Sequence, residues 1–439
     1  MRNVASRRSA GALLALFALS GAPAAAQNVP PALAAAGDPS PSYLTPPPLR
    51  ADNPLLQKTR DYAGVPLSDW MFYPEFLGEA VYNDNPAQSA APSHAAAGVR
   101  LHPDAYAARD TGVSKTEIFG SLDAYLYPSA PRDNLYNGTL GVAETYKPRP
   151  DLTIKAEAEV DRLGNLSSGG SALGPGGVAA PLVAPSQYNQ GQASLAVQKS
   201  FGRLFLGVSL TGVGSRYDAL ATAVGSLSQS YRNSFVTTLT ERGGYWITPL
   251  LYGYVEAAEN QRDYQAAAFA SHGYRTVAGL GSDRISLFRG EVYAGYQQQY
   301  YGPPLPGSAS SPVVGGKIFW YPTRALTLSA ALDESFSDMN NAAPGNPQGN
   351  PARDLGAKLD ATYQLHRSWW ATLELKADRN AFIGVSRLDT TYVASTRIEY
   401  QLRRDIDLTL GYSYVRNSSN VALDSYVDDV ASLGALYKF

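Results

Sequence analysis

Charged side chains recur at every second position along several stretches of this chain, and they have the most scope for chemistry. Residues 152–162 carry Lys155, Glu157, Glu159 and Asp161 on one parity, against Leu152, Ile154, Ala156, Ala158 and Val160 on the other. Lys358 and Asp360 stand the same way in 355–365, Glu374, Lys376 and Asp378 in 369–378, and Arg397 and Glu399 in 390–403. Asp123, Arg289, Glu291, Lys317 and Asp389 share this parity in their own stretches. Acids and bases interleaved on one face can pair across neighbouring strands as a hydrated wall. They can also grade a passage for a charged solute. Tyr125, Tyr293, Tyr301 and Phe319 fall on the same face, where they could stack on sugar rings or fill space.

Other chemistries have little to stand on. There is no Cys, which excludes disulfides, thiolate ligands and a Cys nucleophile. The four His (His94, His102, His272 and His366) show no spacing that would hold a transition metal, so neither metal nor cofactor is expected. The Gly-rich segment 169–177 lacks the Gly-Lys-Ser/Thr ending of a phosphate loop and reads as a surface loop. His272 is the one candidate base should the molecule be a hydrolase, but the reading is of a protein that is not an enzyme. A net charge of −2 argues against nucleic acid held by bulk charge.

What must position these charges is a strand, since only a period of two lines them up on one face; a helix would smear them around its axis. Eighteen such stretches centre near residues 76, 101, 120, 142, 157, 193, 210, 236, 252, 276, 293, 316, 331, 359, 374, 395, 410 and 432. The connections between them alternate in length. Tight ones are expected at 147–151, 200–203, 242–245, 282–284, 321–324, 366–368 and 403–405. Longer ones fall at 83–96, 163–187, 218–229, 302–312 and 338–353. An even number of strands puts both ends of the sheet on one side, with the tight turns. The chain is Tyr-rich, with 29 Tyr against 13 Phe and 3 Met. Aromatics near tight turns, such as Trp246, Trp320, Tyr321 and Trp369, fit an interfacial belt. The expected fold is an all-β transmembrane antiparallel barrel of about eighteen strands, with short periplasmic turns and longer extracellular loops. Low mean hydropathy (−0.21) is compatible with it, because only alternate residues meet lipid.

Residues 1–26 read as a secretory signal, with Arg2, Arg7 and Arg8 before an apolar run and Ala24-Ala25-Ala26 as a small-residue cleavage site ahead of Gln27. Residues 27–69, rich in Pro and Ala, read as a periplasmic linker or a plug. The barrel is assigned to 70–439.

Several segments resemble a known family, the putative beta-barrel porin type 2 proteins of Gram-negative outer membranes. They are the strand pair 137–162 with its turn Tyr146-Lys147-Pro148-Arg149-Pro150-Asp151-Leu152, the early Glu79-Ala80-Val81-Tyr82-Asn83-Asp84-Asn85, and the turn at 400–408. The resemblance implies an outer-membrane location and passage of polar solute or polymer. It extends to secreted exopolysaccharide, since some members look like barrels associated with its export. The expected partners are outer-membrane lipid, the barrel-assembly machinery and polysaccharide-export components. A general diffusion porin and a non-transport structural or enzymatic barrel remain alternatives.

The final stretch alternates Ala431, Leu433, Ala435 and Tyr437 and ends on Phe439, as a strand that closes a cylinder would. It also resembles the C-terminal signal read by the assembly machinery. Deleting Phe439 is expected to lower the yield of heat-modifiable barrel in outer membranes while leaving export intact. Normal yield from the shortened chain would remove this reading.

Overall fold

The computed structural model describes residues 64–89, 94–165, 171–173, 179–181, 185–222, 225–266, 269–285, 287–303, 307–337, 351–420 and 425–439. Residues 1–26, read above as a signal, nearly all of 27–69 and most of the Gly-rich stretch 169–177 lie outside these residues.

Eighteen long strands follow one another: β1 Trp70–Asn83, β2 Ala96–Asp110, β3 Ser114–Leu126, β4 Leu135–Arg149, β5 Leu152–Asn165 and β6 Ser186–Phe201. Then come β7 Leu204–Tyr217, β8 Ser234–Trp246, β9 Leu251–Tyr264, β10 Ser271–Ile285, β11 Phe288–Tyr301 and β12 Ser308–Trp320. The ring is completed by β13 Leu326–Ser337, β14 Ala352–His366, β15 Trp369–Phe382, β16 Leu388–Gln401, β17 Ile406–Ser419 and β18 Tyr426–Lys438. Each pairs antiparallel with the next, and β18 returns to β1, from Glu75 opposite Lys438 to Asn83 opposite Val430. The sheet therefore closes on itself as a barrel, which is how a β structure satisfies its backbone in hydrocarbon, although the join of β12 to β13 is only five residues long. All eighteen expected centres fall within these strands. Among the described residues no helix is long and apolar enough to cross a membrane.

The ends of the barrel differ as the connection lengths implied. Two-residue intervals join Arg149 to Leu152, Phe201 to Leu204 and His366 to Trp369 at one end. At the other, β5 is separated from β6, β7 from β8 and β13 from β14 by longer segments. Two turns were expected a few residues early. Residues 242–245 lie inside β8, and 282–284 inside β10. The glycines that read as breakers there have another role. A Cβ on Gly244 would lie 2.1 Å from the Phe205 ring, and one on Gly281 would lie 2.3 Å from Tyr252. These glycines are seats for aromatic rings from the neighbouring strand, an arrangement that sheets use to cover glycine.

The distribution of side chains is inside-out. Leu206, Leu210, Val255, Leu359, Leu410 and Leu433 are exposed on the outer face, while Glu79, Arg100, Arg242, Asp378, Glu399 and Asp407 are buried within the ring. The expected aromatic belt is present in part. Trp320 stacks on Phe288 and Trp369 packs with Tyr400, both on the outside near the short turns. Trp246 instead points inward, against Phe205 and Tyr252, because its parity on β8 matches that of buried Arg242 and Gly244.

Neighbouring residues of β17 make the facing testable. Leu408 is 41% exposed and Thr409 only 1%. Arg on a lipid face costs roughly 2–4 kcal/mol at the bilayer midplane and about 0–1 at the interfaces, and Leu408, opposite Tyr400, lies toward the short-turn side. Leu408→Arg should therefore impair assembly, measured as heat-modifiable barrel, more than Thr409→Arg. Equal tolerance would show that the membrane assignment is wrong.

Candidate functional site

The inner wall carries three groupings of functional side chains. The first lies where the barrel closes. The Glu79 carboxylate on β1 is fully buried and meets Arg397 of β16 at 3.0 Å and Arg100 of β2 at 3.2 Å. It also accepts from Thr409 of β17 (3.1 Å) and Ser432 of β18 (3.3 Å). Arg100 turns its remaining donors to Asp123 on β3, with Nε–Oδ1 2.7 Å and Nη2–Oδ2 3.1 Å. The network runs from β16 through the seam to β3. A contact between strands three apart can be made only across the concave side. Room for it comes from Gly434, which faces Glu79: a Cβ there would lie 2.7 Å from the Glu79 Cγ.

The second grouping lines a recess of about 1070 Å³ toward the long-loop end. Its wall is one register row across seven strands: Ser121, Thr139, Asp161, Gln190, Ser215, Ser234 and Tyr264. Most of these side chains are short, so the row is indented. Thr139 donates to Asp161 at 2.7 Å. The row's hydroxyls and amide, with Asp161 in it and Arg162, Arg216 and Asp263 beside it, offer the donors and acceptors that a polyhydroxylated solute needs.

The third grouping lines β7 to β12. Phe205, Tyr252, Tyr254, Val277, Tyr293 and Val313 form one buried cluster, with Trp246 packed against it. Guanidinium groups lie over two of the rings, Arg242 over Tyr254 at 4.1 Å and Arg275 over Tyr293 at 4.8 Å. Arg242 also bridges to Glu256 (2.7 Å) and Glu291 (3.0 Å), and Tyr252 donates to Glu291 at 2.5 Å. Tyr293 donates to Asp333 of β13 at 2.8 Å.

The residues expected at the wall from sequence fall into these groupings or beside them. Asp123 and Arg397 belong to the closing network, Asp161 to the recess and Glu291 to the aromatic–arginine cluster. Lys155, Glu157 and Glu159 share the face of β5 that holds Asp161, each less exposed than the apolar neighbours between them. Lys317 lies over the Phe319 ring, and Arg289 and Glu399 follow the same parity as Glu291 and Arg397. On β14 and β15, Lys358 sits directly opposite Lys376, and Asp360 opposite Glu374. Like charges so placed repel, and the strands resolve this diagonally: Lys358 meets Glu374 at 2.7 Å and Asp360 at 3.2 Å, while Lys376 turns to Asp378 at 2.7 Å. The acidic face of β5 and the paired charges of β14–β16 lie on different arcs and are not brought together.

Two further readings change with the structure. Tyr125 and Tyr293 carry guanidinium groups on their faces, Arg100 at 5.2 Å in the case of Tyr125, so those faces are not open platforms for a sugar. His272 points outward and stacks on Tyr300 at 5.2 Å, away from the interior acids. His94 and Asp133, in two long-loop-end segments, stand 3.2 Å apart. Burial holds the Asp133 carboxyl above its ordinary range, with His94 acting the other way. Among the described residues no cluster of His, Asp and Glu could hold a metal ion.

The residues missed from sequence have identifiable causes. Arg100 lies in one of the least regular strands, Arg242 was read as part of a turn, and Glu79 has no charged neighbour two residues away to mark its face. Removing one partner of a buried ion pair costs roughly 3–5 kcal/mol. Glu79→Gln leaves Arg397 and Arg100 facing each other across the seam. It should lower the temperature at which the folded band is lost on gels, whereas Glu144→Gln, at the edge of the barrel, should not. Equal behaviour of the two would separate the network from closure.

No curated protein sequence matches this chain. Among solved structures, a mutant ferric enterobactin receptor (PfeA) from Pseudomonas aeruginosa aligns with a TM-score of 0.41 at 8% identity, over 84% of this chain and 80% of that one. The siderophore receptor PirA from Acinetobacter baumannii gives 0.41 and 8%, over 84% and 80%. A structure described as the copper transporter OprC gives 0.43 and 10%, over 86% and 82%. The family model described as Putative beta-barrel porin 2 matches residues 60–439, nearly the whole of the chain including every strand of the barrel, and the protein belongs to that family.

Proposed function

We propose that this barrel sits in the outer membrane of a Gram-negative bacterium, short turns toward the periplasm, and passes polar solutes through a hydrated interior. The carrying observation is the inside-out wall: charged and hydroxyl side chains recur along the inner face of the strands, between apolar and aromatic clusters, while leucines and valines cover the outer face. A ring of that size encloses more space than its side chains need. The sixteen charged inward residues named from sequence then line a water-filled passage, and the recess at Asp161 and Gln190 is where a polyhydroxylated solute is held before or after transit. Chemistry on the solute has no part in this reading. A secreted polysaccharide is one such solute, and a small diffusing sugar is another.

Purified protein in planar bilayers should conduct ions. Lys155 and Lys358 lie on separate arcs beside acids, so Lys155→Glu with Lys358→Glu should shift selectivity toward cations. Arg397→Glu is a poor probe, because it would place an acid against the fully buried Glu79, whereas the Lys358 side chain is 42% exposed. The shift should shrink at high salt, as the Debye length falls from about 10 Å at 0.1 M to about 3 Å at 1 M. An oligosaccharide of the native polymer that blocks current at lower concentration than dextran would favour a polymer conduit. Equal block favours a general porin. No conductance, even without residues 27–69, would overturn the passage.

A further inference from the structure

The wall is not uniformly sealed. Strands β12 and β13 pair only between Gly316–Trp320 and Leu328–Leu332, five residues on each side. Above that point Ser308–Gly315 continues in register with β11, and Glu334–Ser337 with β14, but neither ladders to the other. The ladder stops at two glycines, Gly315 and Gly316, the second at φ 154°. The freed edge of β12 contains Pro312, a residue tolerated only where a strand edge is not fully bonded.

This slit is inside the bilayer. Trp320 stacks on Phe288 on the outer face by the short turns, at the interface. A spanning strand uses about 9–11 residues, so hydrocarbon extends from Trp320 to the neighbourhood of Ser310. Val314 in that interval is exposed to the outside. The slit therefore opens in the half of the bilayer nearer the long loops. Unsatisfied backbone there is costly, and side chains take the place of the ladder. Glu334 is buried although its register with Leu355 puts it on the outward parity. It accepts from the Ser311 hydroxyl and, at 2.6 Å, from Arg353 Nε. Phe336 and Val313 are buried beside it.

Behind the slit the interior is a patch of valines and aromatic rings, with Arg242 and Arg275 over two of its tyrosines. Val313 belongs to the buried cluster that continues through Val277, Tyr293 and Tyr254 to Phe205 and Trp246 at the short-turn end. Two smaller buried apolar clusters, one of Val81, Tyr125 and Leu135 and one of Val393, Val415 and Tyr426, lie on other arcs, but the one behind the slit is the cluster that includes a residue of β12. A wall gap facing lipid and backed by an apolar stripe, with Arg275 and Asp333 beside it, fits a molecule with a polar head and a hydrocarbon tail. We propose that β12 and β13 form a lateral portal through which an amphiphile of the outer leaflet passes between bilayer and barrel interior, with Glu334 as its latch. The portal concerns the wall and not end-to-end conduction, so a barrel silent in bilayers could still show it.

The probe is dodecyl maltoside carrying a photoreactive diazirine on its alkyl chain, added to the full chain in lipid nanodiscs and read by mass spectrometry. Label is expected on the inward residues Val313 and Tyr293, competed by plain dodecyl maltoside and not by maltose. Glu334→Gln removes a charge-assisted hydrogen bond and should raise interior labelling roughly tenfold. The chain has no native Cys, so Ser311→Cys with Ser337→Cys can be bridged by a short bismaleimide. The bridge should reduce interior labelling to background while heat-modifiable migration is retained. Label confined to Val314 and Leu332 in every variant, interior labelling that survives the bridge, or competition by maltose equal to that by the detergent would each overturn the portal.

Discussion

Closure of β18 on β1 is the constraint on which the rest of this molecule depends. A sheet in hydrocarbon cannot leave an edge, because each unpaired amide or carbonyl costs several kcal/mol. The seam joins strands from the two ends of the sheet, and it is held at three heights. At the short-turn end the Phe439 amide donates to the Pro74 carbonyl, and Lys438 reaches the fully buried Asp407. Midway, Glu79 gathers donors from β2, β16, β17 and β18. At the long-loop end Asn85 donates to the Val427 carbonyl, and Gln88 to Asp428. Side chains thus reinforce a ladder that has no local turn to set its register.

Once the ring is closed, the two faces of each strand meet different solvents, and the inversion of polarity follows. Packing inside is then governed by charge pairing and ring placement. Acids and bases face each other diagonally where direct pairing would repel. Aromatic rings lie over glycines of the next strand, which flattens them against the wall and leaves the interior to polar groups. The inner surface is consequently uneven: a hydroxylated recess on one arc, an acidic face on β5, paired charges on β14–β16, and an apolar stripe from β7 to β12. An uneven wall is what a passage needs to distinguish solutes, and the weakly laddered join of β12 and β13 lies where the apolar stripe reaches lipid.

Much of this was legible in the chain itself. The alternation in 152–162 alone excludes a helix and sorts Lys155, Glu157, Glu159 and Asp161 from the residues that meet lipid, because side-chain direction in a strand depends only on parity. Strand number and the segregation of short and long connections were equally accessible. The turns near Arg242 and Ser282 were misplaced because glycine marks both a break and a seat for a ring. The two differ only in what lies on the adjacent strand.

What the sequence determined by itself was therefore local and periodic: which residues are strand, which parity faces in, and that the sheet must close. Tertiary structure decided what depends on shear between strands. Parity places Glu79 and Arg397 on the same inner face, but only the stagger of β16, β17, β18 and β1 brings them within 3.0 Å. The same stagger aligns Ser121, Thr139, Asp161, Gln190, Ser215, Ser234 and Tyr264 into one recess, although they are spread over seven of the eighteen strands. Where β12 and β13 stop pairing is likewise invisible in either strand alone. A ladder's extent is a property of two strands and their register, and no period within one of them encodes it.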